Sequence, residues 1–272
     1  MTESARIVLA GCGNMGVALL RGWLHSGIPA EGIDVVEPGA EAAARARELG
    51  VQVYGDAADL PAGLSPSAVV LAVKPQMMDQ VAPAYAGFAG GTVYLSIAAG
   101  RTIAGFERLF GAGAAIVRSM PNTPGAIGRG ITVACPNTAV TPPARALCDR
   151  LLQAVGAVSW LEDEGLMDAV TAVSGSGPAY VFLLVESLRD AGIAAGLPAE
   201  LADRLARHTV AGAGALVLES GEEPGRLREQ VTSPGGTTAA ALDVLRDPAG
   251  GLPPLLRAAV AAAAQRSRDL AG

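Results

Sequence analysis

Short apolar runs alternate with amphipathic stretches through the first part of the chain, and long helical patterns without strands fill the rest. The runs at 7–10, 33–37, 51–54, 68–73, 92–97, 114–119, 131–134 and 157–160 are rich in Val, Ile, Leu and Ala, which predicts a strand at each. Between them, 14–26, 40–49 and 143–155 carry helical spacing, the first stopped by Gly27. Strands alternating with helices form a parallel sheet covered by helices. From Glu162 onward no strand pattern remains, and helices are predicted at 163–173, 178–191, 198–220, 224–231, 238–246 and 252–270. Pro178, Pro198 and Pro224 stand near helix starts, where a missing N–H costs nothing, and Gly192, Gly196 and Gly221 mark ends. The pattern therefore divides into an α/β domain over 1–160 and an all-α domain over 161–272.

Composition narrows this picture. The 272 residues are 50% apolar, enough for one large core or two ordinary ones. A net charge of −6 with no basic run argues against nucleic acid and against an anionic membrane surface. Cys12, Cys135 and Cys148 lack metal-like spacing, and His25 and His208 are the only histidines, so no metal site is expected. The start, Met1 to Arg6, runs straight into the first strand rather than into a longer apolar run with a cleavage site. No uninterrupted apolar run reaches the roughly 18–20 residues of a spanning helix, so a cytoplasmic protein is expected. Lys74 is the single lysine among 20 basic residues. In a chain that otherwise uses arginine, this lysine points to function.

The first chemical signal is Gly11-Cys12-Gly13-Asn14-Met15-Gly16, between a predicted strand and a predicted helix. In that setting the first glycine makes the tight turn and the second lets backbone approach a pyrophosphate. The third lets helix pack on strand, and the helix start attracts phosphate. The N-terminal domain is thus read as a Rossmann-type dinucleotide-binding domain. Glu37 closes the second strand 21 residues after Gly16, where an acid accepts hydrogen bonds from the adenosine ribose of NAD and repels the 2′-phosphate of NADP. Arg45 and Arg47, the nearest positive charges, fall further along the next helix. NADH is slightly favoured over NADPH, a preference that a neighbouring arginine would reverse. Carboxyl ends of strands face the ligand crevice in such sheets, which brings in Val73, Lys74 and Pro75, then Ala98, then Met120 and Asn122.

The second signal is Val231-Thr232-Ser233-Pro234-Gly235-Gly236-Thr237-Thr238, a Pro-Gly-Gly turn among hydroxyls opening a helix. Free N–H groups at a helix start, beside side chains without bulk, suit a small carboxylate. An ordinary helix cap is the plainer reading, but two glycines and three nearby hydroxyls exceed what a cap needs.

These segments, with Leu71 to Gln76, Ser96 to Gly100, Met120 to Pro124 and Asp168 to Tyr180, resemble the Δ1-pyrroline-5-carboxylate reductase family in order and across nearly the whole chain. The resemblance implies hydride transfer from NADPH or NADH to the C=N carbon of 1-pyrroline-5-carboxylate, giving L-proline. It implies a helical domain serving dimerisation and substrate binding, a homodimer with interleaved helical domains, and a larger ring of dimers in many members. It places the substrate carboxylate on Ser233, Gly235, Gly236, Thr237 and Thr238, with the Thr238 hydroxyl at the imine nitrogen. Ser174, Ser176 and Tyr180 either pack and cap the helix at Pro178 or touch substrate. Glu186 is read as a solvent-facing carboxylate. His208 and Glu223 depart from the family pattern, which bears on helix packing or the dimer surface.

Two rival classes, another kind of two-domain reductase and a protein without catalysis, fit the residues less well. A β-hydroxyacid dehydrogenase would need a lysine in the second domain, and none follows Lys74. A prephenate-type dehydrogenase would need a histidine near the domain junction, where neither His25 nor His208 falls. A nicotinamide-binding regulatory protein would need no substrate turn at all.

Overall fold

The structure, a computed structural model, describes residues 5–271. Residues 1–4, on which part of the leader reading rests, lie outside the described residues. The chain forms two compact units: one runs to Gly175 and takes back the stretch from Ala264 onward, and the other is Ser176–Ala263. Strands end at Trp160, whereas the units separate at Gly175.

The first unit is built on β1 (Ile7–Ala10), β2 (Ile33–Val36), β3 (Gln52–Tyr54), β4 (Ala68–Leu71), β5 (Val93–Ser96), β6 (Ala115–Met120), β7 (Gly130–Pro136) and β8 (Gly156–Trp160). They form one sheet in the order β3-β2-β1-β4-β5-β6-β7-β8. Every neighbouring pair is parallel except β6 with β7, where Ser119 faces Ala134. The stretch from Pro121 to Arg129 holds only a short 3-10 turn, Thr123–Ile127. A parallel return needs a crossover of a dozen or more residues, so this connection reverses the chain. The expected parallel sheet is found, with that one pair antiparallel.

Helices cover both faces. On one, α1 (Asn14–His25), α2 (Ala40–Glu48) and the long helix Pro142–Gln153 bury Leu19, Leu20, Trp23, Ala46, Leu151 and Leu152 against Ile7, Leu9, Val35, Val70 and Leu95. The Trp23 indole N–H donates to the Leu151 carbonyl at 2.8 Å. On the other, α3 (Met78–Val81) and α4 (Ile103–Phe110) set Met78, Phe106 and Phe110 against Val8, Ala10, Val69, Leu71 and Tyr94. Val8 and Leu9, or Val69 and Val70, thus serve opposite cores, as a strand's period of two requires. The helix Pro142–Gln153, α5 in chain order, starts on a Thr141 hydroxyl that accepts from Ala144 N–H.

After β8 come a 3-10 turn (Glu164–Leu166), α6 (Met167–Val170) and one π-helical turn, Thr171–Gly175. The second unit holds α7 (Gly177–Ala194), α8 (Ala199–Ser220), α9 (Pro224–Gln230), α10 (Thr237–Leu245) and most of α11 (Leu252–Ala271). A β-carbon on Gly192 would lie 3.3 Å from that of Ala202, so α7 and α8 pack closely there. Phe182, Leu183, Leu218 and Val244 are exposed. Helical continuity from Glu164 to Ala194 makes a 31-residue stretch with a window of mean hydropathy 1.3 that is 6% buried. By length and composition that stretch could cross a membrane, unlike any uninterrupted apolar run in the sequence.

Candidate active site

β1 ends at Ala10 and the chain turns at Gly11, whose φ of +91° disfavours any residue with a β-carbon. That β-carbon would also sit 2.9 Å from the Ala72 carbonyl oxygen and from Val73 Cγ1. Gly16 is excluded differently: its β-carbon would lie 2.6 Å from the Gly11 carbonyl oxygen, so α1 rests directly on the turn. Gly13 has nothing within 4 Å on that side, which leaves the face of the turn open. α1 begins on Gly13 without a side-chain cap or an acid in its first turn, so its first N–H groups, from Asn14 on, are available to an anion. A pyrophosphate fits this cradle on all three counts.

Glu37 is tied to the same turn. Its carboxylate accepts from Cys12 N–H at 2.7 Å and from Gly39 N–H at 2.8 Å. The sequence placed Glu37 at the ribose but did not disclose these backbone partners. Arg45, read as further along α2, lies close enough to act on Cys12 electrostatically, as does Arg21. Burial, followed by the Glu37 charge, pushes the Cys12 thiol up to about 11. The Arg45 Nε is buried and has no hydrogen-bond partner among the described residues.

The carboxyl ends of the other strands supply the rest. Val73 packs on the glycine turn, Lys74 is exposed after β4, and Pro75 opens a 3-10 turn. Ala98 is buried and its N–H donates to Ser96 Oγ at 3.2 Å. Met120 reaches Gly175, whose β-carbon would meet Met120 Cε at 2.4 Å. Asn122 accepts from Ile131 N–H through Oδ1 at 3.0 Å and donates through Nδ2 to Ser174 Oγ at 3.3 Å. This amide ties the reversal after β6 to the π-helical turn. A second tie went unseen in the sequence: Glu164 accepts from Arg118 Nη1 at 2.7 Å and from Ile103 N–H, at the start of α4, at 2.8 Å. Both ties cross more than forty residues, so no local pattern reports them.

In the second unit, Ser233-Pro234-Gly235-Gly236 forms a tight turn closed by Gly236 N–H on the Ser233 carbonyl at 3.0 Å. Pro234 pre-sets the first corner, and Gly235 takes φ +67° at the second. A β-carbon on Gly236 would lie 2.4 Å from Ser233 Oγ. α10 starts at Thr237 on Gly236, without a side-chain cap and without an acid in its first turn. Thr238 is half-buried one residue inside the helix. Among the described residues, no group of three or more His, Cys, Asp or Glu side chains is placed to hold a metal ion. Glu186, His208 and Glu223 are all exposed in the single chain, and Glu186 lines a cavity of about 420 Å³ with Arg189, Asp203 and Arg207.

Residues 6–100 match the family described as "NADP oxidoreductase coenzyme F420-dependent", and residues 164–270 match "Pyrroline-5-carboxylate reductase dimerisation". A pyrroline-5-carboxylate reductase of Pseudomonas aeruginosa is 42% identical over 99% of this chain and 98% of its own length. The chain belongs to the pyrroline-5-carboxylate reductase family. Solved structures agree. A pyrroline-5-carboxylate reductase from Coxiella burnetii superposes with a TM-score of 0.91 at 34% identity, covering 98% of this chain and 99% of that one. A Plasmodium falciparum pyrroline carboxylate reductase with NADP bound gives 0.83 at 29% identity, covering both chains fully. The chain is accordingly an oxidoreductase that uses NAD(P)H and assembles as a homo-oligomer through its helical region. The dimerisation match, residues 164–270, covers the whole of the apolar stretch Glu164–Ala194.

Proposed function

We propose that this pyrroline-5-carboxylate reductase family member reduces 1-pyrroline-5-carboxylate to L-proline, the last step of proline synthesis. The turn at Ser233 to Gly236 carries this reading: it presents an uncapped helix start among hydroxyl side chains, a chemistry suited to a small carboxylate. The division of labour follows the sequence, with 1–160 binding the dinucleotide and 161–272 supplying dimerisation and substrate binding.

Bound reduced nicotinamide supplies a hydride. The C=N carbon of the substrate accepts it, and because the imine nitrogen is protonated beforehand, the product is a secondary amine and no strong protein acid is required. The protein's task is positioning, and fixed geometry alone lowers a barrier by several kcal/mol. The N–H groups at the start of α10, with Ser233, Gly235, Gly236 and Thr237, hold the substrate carboxylate. The Thr238 hydroxyl orients the imine nitrogen. Gly11, Gly13, Asn14, Met15 and Gly16 hold the pyrophosphate, and Glu37 stands at the ribose. Val73, Lys74, Pro75, Ala98, Met120 and Asn122 line the rest of the crevice. Helical domains of two chains interleave, dimers join into a ring, and the enzyme works in the cytoplasm. The extensive exposed apolar surface of the helical unit supports the pairing.

The test is the steady-state rate with DL-1-pyrroline-5-carboxylate, once with NADH and once with NADPH. Turnover with either is the expected result. Cofactor binding without turnover would replace the reductase by a nicotinamide-binding regulatory protein.

A further inference from the structure

We propose that Arg45 receives the 2′-phosphate of the dinucleotide and lets this chain take NADPH despite the acid at the end of β2. The proposal rests on the dinucleotide-binding reading of the first unit. Glu37 marks the place where the ribose would lie, yet its two carboxylate oxygens already accept from Cys12 and Gly39 N–H. Its charge is therefore directed at the turn, and among the described residues its hydrogen-bond partners are these two backbone N–H groups rather than Arg45. Arg45 stands five residues into α2, and helical side chains lean toward the N-terminus, which here is the end of β2. Its charge acts on the Cys12 thiol in the direction opposite to burial and Glu37, consistent with a position beside the glycine turn.

The guanidinium is also incompletely satisfied. Its Nε is buried and has no hydrogen-bond partner among the described residues, which packs the stem beside the turn and leaves the terminal nitrogens to carry any ligand contact. A phosphate monoester is dianionic, carries three acceptor oxygens and matches the planar guanidinium fork. The ribose hydroxyl of NADH offers no such charge. The same position therefore discriminates between the two cofactors without touching the reacting atoms.

Calorimetric titration of the substrate-free protein with NADP⁺ and with NAD⁺ tests this without turnover, so the outcome stands apart from whether pyrroline-5-carboxylate is the substrate. Arg45→Met keeps the apolar stem and removes the charge. It is expected to weaken NADP⁺ binding by roughly 10–100-fold. NAD⁺ binding should stay within about threefold of the unsubstituted protein, well under one charged hydrogen bond. Arg45→Lys should retain most of the NADP⁺ affinity. Equal losses for both nucleotides in both variants, or unchanged NADP⁺ binding by Arg45→Met, would overturn the assignment and leave Arg45 as packing between α1 and α2.

Discussion

Thr238 lies one residue inside α10, half-buried beside an uncapped helix start. A hydroxyl that orients the imine nitrogen contributes most when the nitrogen changes charge. Thr238→Ala should therefore lower kcat/KM for pyrroline-5-carboxylate by roughly 10–100-fold, with cofactor affinity unchanged. Unchanged kinetics would remove Thr238 from the mechanism. The buried thiols give a pH prediction. Burial pushes Cys12 up to about 11 and, with Asp149 adding, Cys148 up to about 12. Below the ordinary thiol range both states are protonated and nothing is lost. Above it the unfolded chain ionises while the folded chain does not, so stability falls as pH rises from about 9 through these values. Denaturant midpoints at pH 8 and pH 10 should show the drop, and Cys12→Ala should reduce it. At this scale the turn at Gly11 and the close packing at Gly16 were legible in the sequence, because G-x-G-x-x-G after a strand fixes both positions. The partners of Glu37 and the reach of Arg45 were not, since each depends on how a flexible side chain settles against distant backbone.

Elements were the most legible level. Alternating apolar runs located every strand from β1 to β8, with ends shifted by a residue or two. The sequence did not yield α4 or the one-turn α3, nor the 3-10 stretch Ala82–Phe88 that follows it. Pro83 and Gly87 break the helical spacing there, and α4 is short, with Gly105 in its first turn; Thr102 starts it by accepting from Gly105 N–H. The π-helical turn was equally hidden, because one extra residue per turn changes no residue type. Glu164 matters at this scale, since it caps α4 through Ile103 and neutralises Arg118 on β6. The Arg118 side chain is 6% exposed against 28% for Glu164. Glu164→Ala should thus leave a buried cation unpaired and cost on the order of 2–3 kcal/mol, after allowing for partial solvation. Urea unfolding measures it, and a loss under about 0.5 kcal/mol would mean water replaces the carboxylate.

For the molecule as a whole, the apolar surface of the helical unit sets the assembly. Phe182 is 59% exposed and Leu218 77% exposed in the single chain, more than isolated surface apolars explain. Phe182→Glu should shift the protein toward monomer in sedimentation and abolish pyrroline-5-carboxylate turnover. NAD(P)⁺ binding by the first unit should persist. An active monomer would detach catalysis from assembly. The course of α11 has its own consequence. It starts in the second unit, but its last turns belong to the first, where Ser267 donates to Asp168 at 2.6 Å and a β-carbon on Gly100 would lie 3.8 Å from the Leu270 carbonyl oxygen. A ribosome makes residues 264 onward only after the whole of Ser176–Ala263. The first unit therefore waits, one helix end short, until its neighbour in the chain has been synthesised.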